Sequence, residues 1–279
     1  MKRLVLPVVF IAALAATAAA DSHEATPEVG DPSGAMPAAV EGEVARVGPF
    51  AKQSYPTELI FRPLTLPAGM AEVTPDISYA QIDFGLGSVD ATALGLFARY
   101  GVTDQLEVGL ATSLLVDPEF EWGESLIVRG AFSVYDTEMI DIAPALTVPL
   151  SFADGEDVLP GIILGADTRI LLNEMLFVLV GQNLLPIGFD PSAVNIDVNL
   201  AGGVQITPQV AALLTTQPLS LAVSGDGNET THYGDFIPIG LQGLFAINHQ
   251  VDAFLRADFP SIEDAGDFFI LSAGANVRL

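Results

Sequence analysis

The chain has 279 residues, no cysteine, a formal net charge of -25 at pH 7 and a composition that is 50% hydrophobic. The missing cysteines exclude disulfides, thiolate metal sites and a lipoprotein attachment. The acidity repels phosphate backbones and excludes nucleic acid as a partner, although a saline habitat would select the same bias.

Residues 1–20 read as a cleaved signal peptide. Met1-Lys2-Arg3 is a positive n-region, an apolar run follows, and Ala18-Ala19-Ala20 before Asp21 suits cleavage. Beyond Ala20 no stretch approaches twenty uninterrupted apolar residues, so helical membrane spans are excluded. Residues 21–54 are rich in Ala, Pro, Glu and Gly without either structural period, and read as a flexible acidic leader. Residues 55–68 are more apolar but broken by Pro56, Pro63 and Pro67. They read as an ordered lead-in lying at, or partly inside, the mouth of a barrel formed by residues 69–279.

Residues 69–279 fall into stretches that alternate apolar and polar residues. Short connections centre on Thr103-Asp104, Asp136-Thr137, Asn173-Glu174, Thr207-Pro208 and Asn248-His249. Longer ones cover roughly 82–90, 117–124, 152–160, 185–192, 217–235 and 260–266. Strict alternation of short and long connections is the habit of an outer-membrane barrel, with periplasmic turns and extracellular loops. The expected fold is all-β, a transmembrane antiparallel up-and-down β-barrel of about 12 strands, with 10 or 14 as alternatives. Leu176 to Val180 is apolar on both faces, Val210 to Leu214 has no clear parity, and Pro75, Pro144, Pro149 and Pro238 interrupt proposed strands.

Parity tests the reading. With Leu94, Leu96 and Tyr100, or Val194, Ile196 and Ile206, set outward, the strand charges fall on the other face. The inward set is Glu72, Asp76, Arg99, Glu107, Arg129, Asp141, Asp167, Arg169, Asp197, Asp252, Arg256 and Asp258, with Arg278 in the last strand. An outward Arg near the bilayer midplane would cost about 2–4 kcal/mol, so a real barrel must segregate its charges this way.

The hairpin Tyr100-Gly101-Val102-Thr103-Asp104-Gln105-Leu106-Glu107-Val108-Gly109-Leu110 resembles a periplasmic hairpin of uncharacterised bacterial outer-membrane barrels of the porin or transporter type. Arg62-Pro63-Leu64-Thr65-Leu66-Pro67-Ala68-Gly69 is similar to the entry to their first strand. The resemblance covers about residues 55–279 and implies the barrel, the outer membrane and a passage role. The chain departs from it by ending in Leu279 instead of an aromatic residue, and no functional residue carries over.

Little in the chain speaks for catalysis. His23 lies in the leader and His249 in a short turn. His232, near Asp226, Glu229 and Asp235, could serve as a general base, but a solvated loop histidine is commoner and no nucleophile accompanies it. Asp226-Gly227-Asn228-Glu229 offers oxygen ligands to calcium without the spacing of a full binding loop. Gly85-Leu86-Gly87 lacks the third glycine and helix of a dinucleotide site. Trp122 reads as a loop or interface aromatic, and Tyr79, Phe259, Phe269 and Tyr100 as girdle residues. No catalytic residue and no cofactor is expected.

Charge carries the functional expectation. The six long connections hold fifteen carboxylates and no Lys or Arg, and the inward face has eight carboxylates against five arginines. Such a distribution suits a passive channel or small-solute transporter with a cation preference. Phe97, Ile127, Ile163, Phe177, Leu179 and Phe254 would narrow its lumen. The alternative is a non-conducting structural, adhesive or binding barrel with acidic extracellular loops. Expected partners are outer-membrane lipid and lipopolysaccharide, the barrel-assembly machinery, and small solutes or cations. A closed barrel should resist SDS at room temperature, so unboiled and boiled protein should migrate differently on a gel. Identical migration with recovery in the soluble periplasmic fraction would contradict it.

Overall fold

The computed structural model describes residues 55–83, 88–117, 121–152, 158–189, 192–224, 229–233, 237–261 and 268–279. The signal, the leader, Gly85-Leu86-Gly87, Asp226-Gly227-Asn228 and the side chains of Trp122, Glu229 and His232 lie outside that description.

Twelve antiparallel strands close into a barrel. They are β1 (Ala71–Asp83), β2 (Ser88–Gly101), β3 (Leu106–Asp117), β4 (Glu121–Phe132), β5 (Ile140–Ser151) and β6 (Gly161–Leu171). Then come β7 (Leu176–Val180 and Leu185–Phe189), β8 (Ser192–Thr207), β9 (Val210–Ser224), β10 (Glu229–Tyr233 and Ile239–Asn248), β11 (Val251–Phe259) and β12 (Phe268–Arg278). A short piece, Tyr135–Asp136, continues β4 along β5. Each strand pairs with its chain neighbours, and β12 returns to β1 with Arg278 opposite Glu72. Closure leaves no open edge, as hydrocarbon demands of a sheet.

The outer surface is aliphatic. Leu94, Leu96, Leu110, Leu146, Val194, Ile196, Leu214, Leu241, Leu255 and Leu271 are all exposed, from strands around the whole circumference. A soluble protein would hide these side chains, whereas a barrel presents them to lipid. Their neighbours in sequence take the lumen face: Phe97, Ala111, Leu213, Phe254 and Ile270 are buried there, and Asp197 and Arg256 are half-buried. The two stretches of uncertain parity settle the same way: Phe177, Leu179, Ala211 and Leu213 turn inward.

Each of the five short turns is closed by the same device. A Thr or Asn at the strand's end or just after it accepts backbone N–H groups two or three residues on, as such side chains do in tight turns. Thr103 Oγ1 takes Gln105 and Leu106, Thr137 Oγ1 takes Ile140, and Asn173 Oδ1 takes Met175 and Leu176. Thr207 Oγ1 takes Gln209 and Val210, and Asn248 Oδ1 takes Gln250 and Val251.

At the other end the strands run further than the expected loop boundaries. The stretch 185–192 holds the second half of β7 and the start of β8, and 217–235 holds the ends of β9 and β10. The reason is register: Leu219 to Val223 still pairs with Glu229 to Tyr233, so polar and Pro-containing sequence stays in the ladder. With 13 and 14 residues, β1 and β2 exceed the roughly 9–11 that cross a hydrocarbon core. The two strands are therefore longer than a crossing needs. Pro238 lies between the two pieces of β10, where no ladder donor is lost.

Between its halves β7 is interrupted at Gly181 to Leu184, where Gly181 and Asn183 adopt positive φ of 81° and 49°. Asn183 N and Gly181 O lie 3.1 and 3.3 Å from where a Cβ on lumen-facing Gly165 would stand, so the interruption leans inward over β6.

Leu255 and Arg256 test the register on adjacent residues. Leu255 is 70% exposed, and Arg256 points inward to Asp258. Leu255→Arg should lose about 2–4 kcal/mol of barrel stability and assemble poorly, while Arg256→Leu should insert normally. Equal yields of the heat-modifiable band from the two variants would show the β11 register to be wrong.

Candidate functional site

The lumen is occupied at its turn end by the chain's own residues 55–66. Their composition explains how they sit. Leu59, Ile60 and Leu64 join an apolar cluster with Ala143, Phe177, Leu179, Ala201, Ala211, Leu213 and Leu244, drawn from β5 and β7 to β10. Ile60 and Arg62 are each 0% exposed. A single 3-10 turn, Leu59–Phe61, lets Leu59 and Ile60 face this wall while Arg62 turns to the polar one.

That polar wall is a chain of alternating charges. Asp167 pairs with Arg129, whose Nη1 is 3.4 Å from Glu107 Oε1. Glu107 Oε2 is 3.4 Å from Arg99 Nη1, and Arg99 Nη2 is 2.8 Å from Glu72 Oε1. Glu72 Oε2 meets Arg278 Nε at 2.7 Å, Arg278 also pairs with Asp252, and Asp252 pairs with Arg62. Four carboxylates and four guanidiniums thus run without a break from β6 through β4, β3, β2, β1, β12 and β11 into the lumen segment. Buried ions need this pairing, because an isolated one loses several kcal/mol of hydration with nothing in return. The ring of Tyr55 lies 4.4 Å from the Arg278 guanidinium carbon and 5.8 Å from that of Arg62. Burial raises the Tyr55 phenol above its ordinary range, so the ring stays neutral between two cations.

The wall also reads the segment's main chain. Gln205 Oε1 accepts the Ile60 N–H at 3.2 Å, and Arg169, itself paired with Asp141, donates to the Ile60 and Arg62 carbonyls at 2.9 and 2.8 Å. Glu107 Oε2 accepts the Leu66 N–H at 2.9 Å, and Asp104 Oδ1 accepts that of Ala68 at 3.0 Å. These partners sit on β3, on the turn before it, on β6 and on β8, on opposite sides of the bore, so the segment crosses it. Gly101 permits the entry: a Cβ there would run into the Leu66 and Pro67 carbonyls.

Nearer the loop end the wall changes character. Asp76, Asp197, Arg256 and Asp258 are only half-buried. Arg256 forms a fork with Asp258, Ser220 Oγ donates to Asp197 at 2.6 Å, and Ser78 Oγ donates to Asp76 at 3.0 Å. Gly95 leaves a notch for the Asp76 carboxylate. Phe97 and Phe254 are buried in the lumen, whereas Ile127 and Ile163 are only half-buried.

Of the residues expected inside, Glu72, Arg99, Glu107, Arg129, Asp141, Asp167, Arg169 and Asp252 belong to the turn-end layer, and the other four to the half-buried layer. Sequence reasoning missed Arg62, Tyr55 and Gln205. The available signal was arithmetic: a wall with more inward carboxylates than arginines, beside a lead-in carrying one arginine among aliphatics. Among the described residues no group of three or more His, Asp or Glu could hold a metal ion. His249 stays in its turn, and the backbone of His232 pairs with Ser220 on β9.

No family model matches the chain, and no curated protein is similar to it in sequence. The similar solved structures include outer-membrane porins and channels. The KdgM porin aligns with a TM-score of 0.49 and 7% identity over 73% of this chain and 98% of its own. An outer membrane channel from Pseudomonas putida F1 aligns at 0.49 and 12% over 77% and 97%. The NanC porin aligns at 0.48 and 9% over 74% and 100%. The likeness is one of barrel architecture, and no residue role transfers.

Arg62→Ala should cost about 3 kcal/mol, the low end for breaking a buried pair, because Asp252 keeps Arg278. Arg256→Ala should cost far less, since its pair is partly solvated. The urea dependence of the heat-modifiable band reads both.

Proposed function

We propose that the chain is an outer-membrane channel that passes small cationic solutes, and that its own residues 55–66 close its turn end in the conformation described here. The supporting observation is the division of lumen charge into two layers. In the turn-end layer Glu72, Glu107, Asp141, Asp167 and Asp252 are matched by Arg62, Arg99, Arg129, Arg169 and Arg278, five against five. In the half-buried layer Asp76, Asp197 and Asp258 face Arg256 alone, three against one, for a net charge of -2. The long connections add carboxylates of the same sign. A low-dielectric wall focuses this field, enriching cations and excluding anions in the solvated part of the bore. Balanced charge belongs to the closed half and unbalanced charge to the open half.

A second reading has its own observation. A segment held on every side of the bore also suits a barrel that never conducts and acts through its acidic loops. Recording in planar bilayers decides between them. Under a KCl gradient, wild type and Arg62→Glu should both show reversal potentials favouring K⁺ over Cl⁻, with the variant open for longer. Asp76→Asn with Asp197→Asn should weaken the preference without preventing assembly, and high salt should weaken it too, because the screening length falls to about 3 Å at 1 M. Anion preference would overturn the charge argument. No conductance from either protein, shown folded and inserted, would favour the closed barrel.

A further inference from the structure

We propose that the turn end of the lumen is a binding site for an arginine-bearing apolar peptide folded around a single turn, and that residues 55–66 are its tethered occupant. Three features distinguish a receptor from a wall that has simply collapsed on a nearby strand of chain. The first is that the contacts are of the kind that read peptides. Side chains of Gln205, Arg169 and Glu107 engage the main chain at Ile60, Arg62 and Leu66, leaving the segment's side chains to fill separate pockets.

The second is that those pockets differ in chemistry. One is the apolar recess lined by Phe177, Leu179, Leu213 and Leu244, which takes Leu59, Ile60 and Leu64. The other is Asp252, which receives the Arg62 guanidinium through two oxygens in a fork that a lysine could not reproduce. Without Arg62 the wall's turn-end layer has five carboxylates and four arginines, so it is one guanidinium short of balance.

The third is preorganisation of the ligand. Pro56 and Pro63 flank the Leu59–Phe61 turn, and Arg62 folds back to donate to the Pro56 and Thr57 carbonyls at 3.3 and 3.0 Å. The segment thus brings much of its bound shape with it, which lowers the ordering cost of docking. The site does not depend on ion passage, and occupancy can be read whether or not the barrel conducts.

The test uses the full chain carrying Ile60→Asp and Arg62→Glu, which sets carboxylates against the apolar recess and against Asp252. A fluorescently labelled synthetic peptide of residues 55–66 should bind the folded variant, read by anisotropy in detergent. Wild type, with the site filled, should bind at least tenfold more weakly. The same peptide with its arginine replaced by alanine should also lose at least tenfold, as expected when one member of a buried charge pair is removed. Absence of binding to the folded variant, equal binding by wild type, or indifference to the arginine would each overturn the proposal.

Should the double variant not assemble, Leu64→Cys in the otherwise cysteine-free chain gives an independent reading. Its thiol should be protected from a maleimide in the docked state. Peptide at several millimolar, comparable with the effective concentration of a tethered segment, should raise the labelling rate several-fold. An unchanged rate would count against the site, because a true ligand must compete with its tethered copy.

Discussion

Everything in this barrel depends on where a charge can be put. The outer face meets lipid, so the charges go inward, and inside the bore they are too deeply buried to stay hydrated. They must therefore find each other. The run from Asp167 to Arg62 is the result: between these two ends every carboxylate bridges two guanidiniums and every guanidinium two carboxylates, across seven strands. Such a chain holds its members at defined heights on their strands. It also explains why residues 55–66 are inside the bore, since the run ends on an aspartate that takes the fourth arginine from the segment.

The opposite wall works by the complementary rule. Inward positions of β5 and β7 to β10 are largely Ala, Leu and Phe, with no charge at the height of the segment apart from Asp141. An empty bore would expose that recess to water. Leu59, Ile60 and Leu64 cover it, at roughly 25 cal/mol for each Å² of apolar surface removed from solvent. The segment is thus amphipathic across the bore. It satisfies ions on one side and hydrocarbon on the other, which neither wall could do for its opposite.

Much of this was legible in the sequence, and the illegible part has identifiable causes. Alternation placed the strands and faces because a period of two is local and lipid punishes exceptions. Thr103, Thr137, Asn173, Thr207 and Asn248 marked the turns because turn chemistry is local as well. Strand ends at the loop side were not legible, since the ladder persists through Pro186 and resumes at Leu219 after a register shift at Pro218. The interruption of β7 needed positive φ at Asn183, which composition around Gly181 barely signals. The role of Arg62 was hidden for a different reason: its partner lies 190 residues away. Pairing over that distance leaves no periodic trace, only an imbalance in the count of inward charges.

The seam between first and last strands also sets an order of events. Ala71 and Leu279 exchange backbone hydrogen bonds of 3.2 and 2.8 Å, and Glu72 and Arg278 meet beside them. Both acidic and aromatic anchors of the lumen segment involve that seam, through Asp252 on β11 and through Tyr55 against Arg278. The segment precedes every strand in the chain, yet its seat does not exist until the final strand has zipped to the first. Contacts of such sequence separation form late and slowly. During biogenesis the earliest part of the barrel region to emerge must therefore wait unseated, and its docking marks the completion of the ring.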